Sequence, residues 1–247
     1  MKWNKIKDIK YLNTIDYQFV TSKLVAMMYS YNWALHPSKY IYLWEPVLEY
    51  YENININQLK NKINNIKSKY KKVILYAPTY RWTFQNYNIN SVLDSFFDLV
   101  KNNKNIFFYL SLHPADKDIL NNKNKKIINS LENLWMEKDF NTDDLLPYVD
   151  MLITDASTII NYGIYLKKEI IIFFPDYEEY IKWIDLLWNR LEIYPKEIIY
   201  KKYNKNLDNI LNNYNIDLSF LRNLLYEKDK YLDNKKIYDF IVEKLKD

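Results

Sequence analysis

The sequence predicts an α/β protein with a Rossmann-like parallel sheet and flanking helices, and three observations carry that expectation. From residue 72 onward, short apolar runs alternate with amphipathic segments. The runs are rich in Val, Ile, Leu, Phe and Tyr, as strands buried on both faces are, and Pro78, Pro114 and Pro175 stand just beyond three of them. The polar residues Thr79, His113 and Asp176 fall at the same places, so one sheet edge, at the carboxyl ends of the strands, collects the chemistry.

Taken in order, residues 19–20 and 40–43 read as short strands around a helix at 23–31, and the Asn- and Lys-rich stretch 54–70 reads as a connecting helix or linker. A strand at 73–77 leads to a helix at 92–100, a strand at 106–110 and a polar stretch to 128. Then come a strand at 134–136, a short helix at 143–148, a strand at 151–153 and a helix at 157–166. The pattern closes with a strand at 170–174 and a helix at 177–190. Beyond Ile199 the apolar spacing at 207–211, 218–225 and 237–245 is that of packing helices, and no internal repeat is present.

Composition narrows the chemistry. A length of 247 residues allows one large domain or two small ones with a sizeable core. The single glycine, Gly163, excludes the usual glycine-rich phosphate loops. No cysteine is present and only His36 and His113 carry imidazoles, so thiolate chemistry is excluded and neither a metal nor another cofactor is expected. The net charge of +4 is a weak lean toward an anionic partner or a membrane surface. No basic stripe or nucleic-acid motif accompanies it, and nucleic-acid binding is the least supported class. Without an apolar run of about 20 residues or a secretory segment at the start, a cytoplasmic chain is expected.

The most informative stretch is Asp150-Met-Leu-Ile-Thr-Asp-Ala-Ser-Thr158, where an apolar run ends in small oxygen-bearing side chains. Asp155, Ser157 and Thr158 stand where a strand hands over to a helix, a junction that points backbone N–H groups at an anion such as a phosphate. The same residue types cap helices in any protein, and both readings stand at this point. Arg81 reads equally as a ligand contact or an exposed loop residue, and Asp176 as a ligand contact or the N-cap of the helix that follows. Asp150 reads as structural, the aromatic face within 180–188 as packing, and the charged run 123–126 as solvated.

Four segments, in this order and spacing, resemble the CDP-glycerol glycerophosphotransferase family, which builds glycerol phosphate polymers of the teichoic acid type. They are Lys72-Val-Ile-Leu-Tyr-Ala-Pro-Thr-Tyr-Arg81, Leu112-His-Pro114, Asp150 to Thr158, and Phe174-Pro-Asp-Tyr-Glu-Glu-Tyr180. The first is similar to that family's Tyr-Ala-Pro-Thr-x-Arg strand end and the third to its Ile-Thr-Asp-x-Ser-Ser/Thr turn. The resemblance is good over 70–182 and looser over 16–50, where Asp16-Tyr-Gln-Phe-Val-Thr-Ser22 and Pro46 take part.

The resemblance implies a GT-B-type fold in which residues 67–247 form the half that binds a CDP-activated donor and residues 1–66 a reduced acceptor-side segment with a linker. It further implies that Pro78 and Thr79 border the nucleotide, that His113 faces the donor phosphates as the catalytic histidine, and that Ser157 and Thr158 hold the pyrophosphate. Arg81, Asp155 and Asp176 join them as substrate-binding candidates. The implied partners are CDP-glycerol or a similar donor and a polymeric or lipid-linked acceptor, with a peripheral contact at the cytoplasmic membrane face. The sequence departs from the family in four places. Its acceptor-side Trp-His-Gly motif, with the general-base histidine, has no counterpart. Ser111 and Tyr162 stand where the family has an arginine and an aspartate, and Trp44-Glu-Pro-Val47 replaces a Gly-x-Pro-Arg element. These departures keep a second reading open, a donor-binding module without turnover. His36, within Ala34-Leu-His-Pro-Ser38, lies where the family has no motif.

Overall fold

The computed structural model describes residues 14–43, 45–81, 89–183, 191–226 and 234–246. The chain falls into two compact units, Met1–Ile54 with Ile184–Arg190 and Leu218–Asp247, and Asn55–Trp183 with Leu191–Asp217. The sequence suggested a boundary at 66/67 with everything after it in one body. In these units the first segment ends at Ile54 and is grouped with the last helices.

In the first unit, strands β1 (Gln18–Val20) and β2 (Tyr40–Tyr42) pair in parallel. Between them runs the helix Lys23–Trp33, started by Ser22, whose Oγ accepts the Val25 N–H, and ended by Ala34 in the left-handed region at φ 54°. Thr21 Oγ1 donates to the Leu225 carbonyl at 2.7 Å, and Phe240 packs edge-on against Tyr17 and Phe19. These contacts are why the C-terminal helices Ser219–Leu225 and Asn234–Lys244 belong here. Trp44 and residues 184–190 lie outside the described residues, and with them the altered Gly-x-Pro-Arg position and the far half of the aromatic face at 180–188.

The second unit is a six-stranded sheet of β3 (Lys72–Ala77), β4 (Ile106–Leu110), β5 (Leu134–Met136), β6 (Met151–Thr154), β7 (Glu169–Phe173) and β8 (Ile199–Tyr200). Its order is β5-β4-β3-β6-β7-β8 with every neighbour parallel, the doubly wound arrangement whose chain direction reverses between β3 and β6. All residues of β3, β4 and β6 are buried, which explains their continuous apolar runs. Tyr76 stacks on Phe96 at 4.1 Å, and Phe96 meets Phe108 edge-on, fastening the helix Ile89–Asn102 to the sheet. Asp150 serves the fold, accepting the Val73 N–H at 2.8 Å and pairing with Lys67 at 2.6 Å. Within the charged run 123–126, Lys123, Lys125 and Lys126 are exposed while Asn124 is buried. The short β8 and the helix Pro46–Asn53 escaped the sequence reading, the first being too brief to show a period.

Gly163 permits a close helix approach rather than a turn. A Cβ there would stand 2.7 Å from Ile170 Cδ1 and 3.0 Å from Leu152 Cδ2, beneath the helix Ile159–Tyr165. Gly163→Val is expected to lower stability in urea by about 1–3 kcal/mol through overpacking. In Gly163→Ala the smaller clash with movable side-chain ends is offset by about 1 kcal/mol of helix propensity. Equal stabilities of the two variants would contradict this account.

Candidate functional site

A cavity of about 700 Å³ opens at the carboxyl ends of β3, β4, β5 and β6, beside the point where the sheet reverses direction. Ala77 ends β3 and Pro78–Tyr80 follow it, Ser111–Pro114 follow β4, Lys138–Asp144 follow β5, and Ser157–Ile159 with Tyr162 follow β6; all four groups line it. Of the residues singled out in the sequence, Pro78, Thr79, His113, Ser157 and Thr158 therefore come together on one wall. His36 is exposed in the first unit.

Local chemistry sets each of these residues. Thr79 is held by its N–H, which donates to Asp155 Oδ1 at 2.9 Å, while its Oγ1 is buried and lacks a hydrogen-bond partner. Such an unsatisfied hydroxyl is costly unless a ligand or water completes it. His113 caps the proline-led helix Pro114–Asp118, its Nδ1 accepting the Ala115 N–H at 3.2 Å, and Tyr80 stacks on its ring. Ser157 Oγ lies 3.4 Å from the Ile159 nitrogen, whereas Thr158, at the N-cap position of Ile159–Tyr165, makes no side-chain capping bond and is exposed. The Asp155 carboxylate accepts from the Thr79 and Ala156 N–H groups and from Arg81.

Arg81, Asp155 and Asp176, also named as substrate-binding candidates, pair with one another. None of the three lines this cavity. Arg81 Nη2 donates to Asp155 Oδ2 at 2.6 Å, and Nε and Nη2 donate to the two Asp176 oxygens at 3.1 Å each. Arg81 Nη1 donates to the Thr79 carbonyl. The guanidinium is only 2% exposed, contrary to the exposed-loop reading, and lies over Tyr180 and Phe174. Burial opposes its charge, but the carboxylates of Asp155 and Asp176 outweigh burial and raise its pKa above the ordinary value. Asp176 spends its side chain on Arg81, and the helix Tyr177–Trp183 starts on the Asp176 carbonyl rather than on a side-chain cap. The triad thus ties the ends of β3, β6 and β7 behind the wall.

The Lys138–Asp144 part of the lining was missed, although the logic that placed Thr79 and His113 at strand ends applies equally to residues after β5. Glu137 anchors it: its carboxylate accepts the N–H groups of Lys138 and Asp139 at 2.9 Å each and pairs with Lys62 at 3.2 Å. Burial pushes the Glu137 pKa up, yet those N–H groups and Lys62 leave it below the usual value. Asn141 and Asp144 form a reciprocal capping box, and Ser111 Oγ meets Thr142 Oγ1 at 2.8 Å. Lys117 and Lys138 line the cavity together with the carboxylates of Asp139, Asp143 and Asp144. No group of residues suited to a metal ion occurs among the described residues.

A doubly wound parallel sheet with a polar crevice at its reversal point defines an α/β fold, here of the GT-B type. The chain belongs to the CDP-glycerol:poly(glycerophosphate) glycerophosphotransferase family, whose pattern matches residues 4–236. It is 28% identical over 194 residues to the teichoic acid glycerol-phosphate primase of Bacillus subtilis (strain 168), covering 77% of this chain and 48% of the relative. A structure of the wall teichoic acid polymerase TagF shares the fold with TM-score 0.69 at 20% identity, over 98% of this chain and 60% of that one. The UDP-GlcNAc 2-epimerase of Neisseria meningitidis, solved bound to UDP-GlcNAc, shares it with TM-score 0.56 at 15% identity, over 93% of this chain and 61% of that one. The chain spans about half the length of the curated relative and about three fifths of these structures.

Proposed function

We propose that this chain transfers glycerol phosphate, or a related polyol phosphate, from a CDP-activated donor to a hydroxyl of a cell-envelope polymer or lipid-linked acceptor, releasing CMP. The observation that carries the reading is the convergence of His113, Thr79, Ser157 and Thr158 on one cavity of nucleotide size at the sheet's reversal point. Family membership supplies the donor class, and a TagF structure described as soaked with CDPG is consistent with it.

In this reading Pro78 and Thr79 border the nucleotide, the turn at Ser157 and Thr158 takes the diphosphate, and His113 donates a hydrogen bond to it. Lys117 and Lys138 supply cationic charge. The acceptor oxygen forms a bond to the glycerol-bearing phosphorus, the bond from that phosphorus to the bridging oxygen breaks, and CMP departs with the electron pair. The proton of the acceptor hydroxyl passes to a base outside the residues placed here. Positioning and charge stabilisation carry most of such a transfer. Arg81, Asp155 and Asp176 shape the wall from behind. No helix among the described residues is long and apolar enough to cross a membrane, so an encounter with a lipid-linked acceptor at the cytoplasmic face is proposed as peripheral.

Calorimetric titration with CDP-glycerol, against CTP and UDP-glucose, tests the reading. CDP-glycerol should bind preferentially, and His113→Ala and Ser157→Ala should each weaken it roughly tenfold or more, as expected for a lost hydrogen bond to a charged group. Release of CMP with a glycerol phosphate acceptor should fall in the same variants. An absence of heat with every CDP ligand would overturn the proposal.

A further inference from the structure

Both histidines of this chain occupy the same local device. In His36-Pro37-Ser38 and His113-Pro114-Ala115 the proline opens a helical turn and has no N–H, so the residue after it offers the first backbone donor. That N–H reaches the histidine Nδ1 at 3.2 Å in each case. A nitrogen that accepts carries no proton, so the neutral ring bears its proton on Nε2. His113 lines the cavity, and Nε2 is the ring nitrogen that the Ala115 N–H does not engage.

The two sites differ in that His36 Nδ1 also lies 2.7 Å from Ser38 Oγ, and in the ring packing. Tyr80 lies flat on the His113 ring, with centroids 4.4 Å apart and planes 11° apart, whereas His36 is exposed with no ring packed on it among the described residues. Tyr80 is itself held between anchored neighbours, Thr79 bound to Asp155 and Arg81 bound in the triad. A flat face at this distance blocks tilting of the imidazole and leaves two coplanar orientations related by a half-turn. The Ala115 N–H selects one of them.

We propose that Tyr80 is a positioning residue for His113, and that stack and cap together present a fixed Nε2–H donor to the cavity. His113 then binds an anionic oxygen and does not take the proton of an attacking hydroxyl. This rests on the function proposed above only for the identity of the anion; tautomer and stack stand apart from it.

The full chain labelled with ¹⁵N-histidine gives two ring patterns in long-range ¹⁵N–¹H spectra, assigned with His36→Ala. At alkaline pH, His113 should show a pyridine-type Nδ1 and a pyrrole-type Nε2, with ring protons moved upfield by Tyr80 and ring-to-ring Overhauser contacts. Tyr80→Leu should collapse this pattern toward that of an averaged free imidazole while His36 stays unchanged; Tyr80→Phe should restore it. A pyrrole-type Nδ1, absent ring contacts, or a His113 pattern indifferent to Tyr80→Leu would overturn the proposal, as would its equal loss in Tyr80→Phe. If the leucine variant fails to fold, the ring contacts and tautomer of the wild type still decide. Inorganic pyrophosphate should shift Nε2. If the tautomer is as stated and pyrophosphate shifts neither nitrogen, the positioning role stands and the phosphate reading falls.

Discussion

Arg81→Leu is expected to lose about 3–5 kcal/mol of stability in urea denaturation, the cost typical of removing one partner from a buried ion pair. The reason is specific to the triad. Asp155 is fully buried at its side chain and Asp176 is 21% exposed there, so removing the guanidinium leaves two carboxylates with little water to replace it. Arg81→Lys should recover only part of the loss. A single ammonium cannot reproduce the fork that engages both carboxylates and the Thr79 carbonyl at once. Because the same fork fixes the strand-end loops behind the cavity, the lysine variant should also bind CDP-glycerol more weakly than the wild type. A leucine variant within 1 kcal/mol of the wild type would show that the triad is not what holds these loops.

The second large effect concerns Asp116, one turn beyond His113. Its side chain is completely buried and, among the described residues, neither carboxyl oxygen has a hydrogen-bond partner. Burial raises its pKa, the positive charge of Arg81 opposes this and Asp155 adds to it, with the result near 6 instead of 3.8. A folded-state pKa above the unfolded one means that folding favours the protonated form. The contribution is fully present below about pH 4 and is lost as pH rises through about 6, and it amounts to the order of 3 kcal/mol. Asp116→Asn, neutral at every pH, should therefore gain on the wild type as the pH rises from 4 to 7.5. Parallel stability curves for the two proteins over that range would rule out a buried, shifted Asp116.

Much of this was legible in the sequence, for a physical reason. Strands buried on both faces must be apolar throughout, so β3, β4, β6 and β7 announced themselves as runs, and the residues after them fell on the crevice by topology. His113, Ser157 and Thr158 were found that way. The pairing of Arg81, Asp155 and Asp176 was not legible, because a charged residue at a strand end looks the same whether it meets a ligand or another charged side chain. Only three-dimensional pairing separates the two. Tyr80 and the Lys138–Asp144 stretch escaped for a different reason: a lone aromatic after a strand and a polar loop carry no period, and their meaning lies in what they pack against. The first unit gave little because its strands are three residues long.

The rim of the crevice is built almost without glycine. Pro78, Pro114 and the Asn141–Asp144 box stand where many nucleotide folds rely on flexible loops. A chain stiffened in this way has less freedom to surrender when it folds. Its mouth is consequently shaped before any guest arrives, and affinity for that guest is not diluted by the need to organise the host.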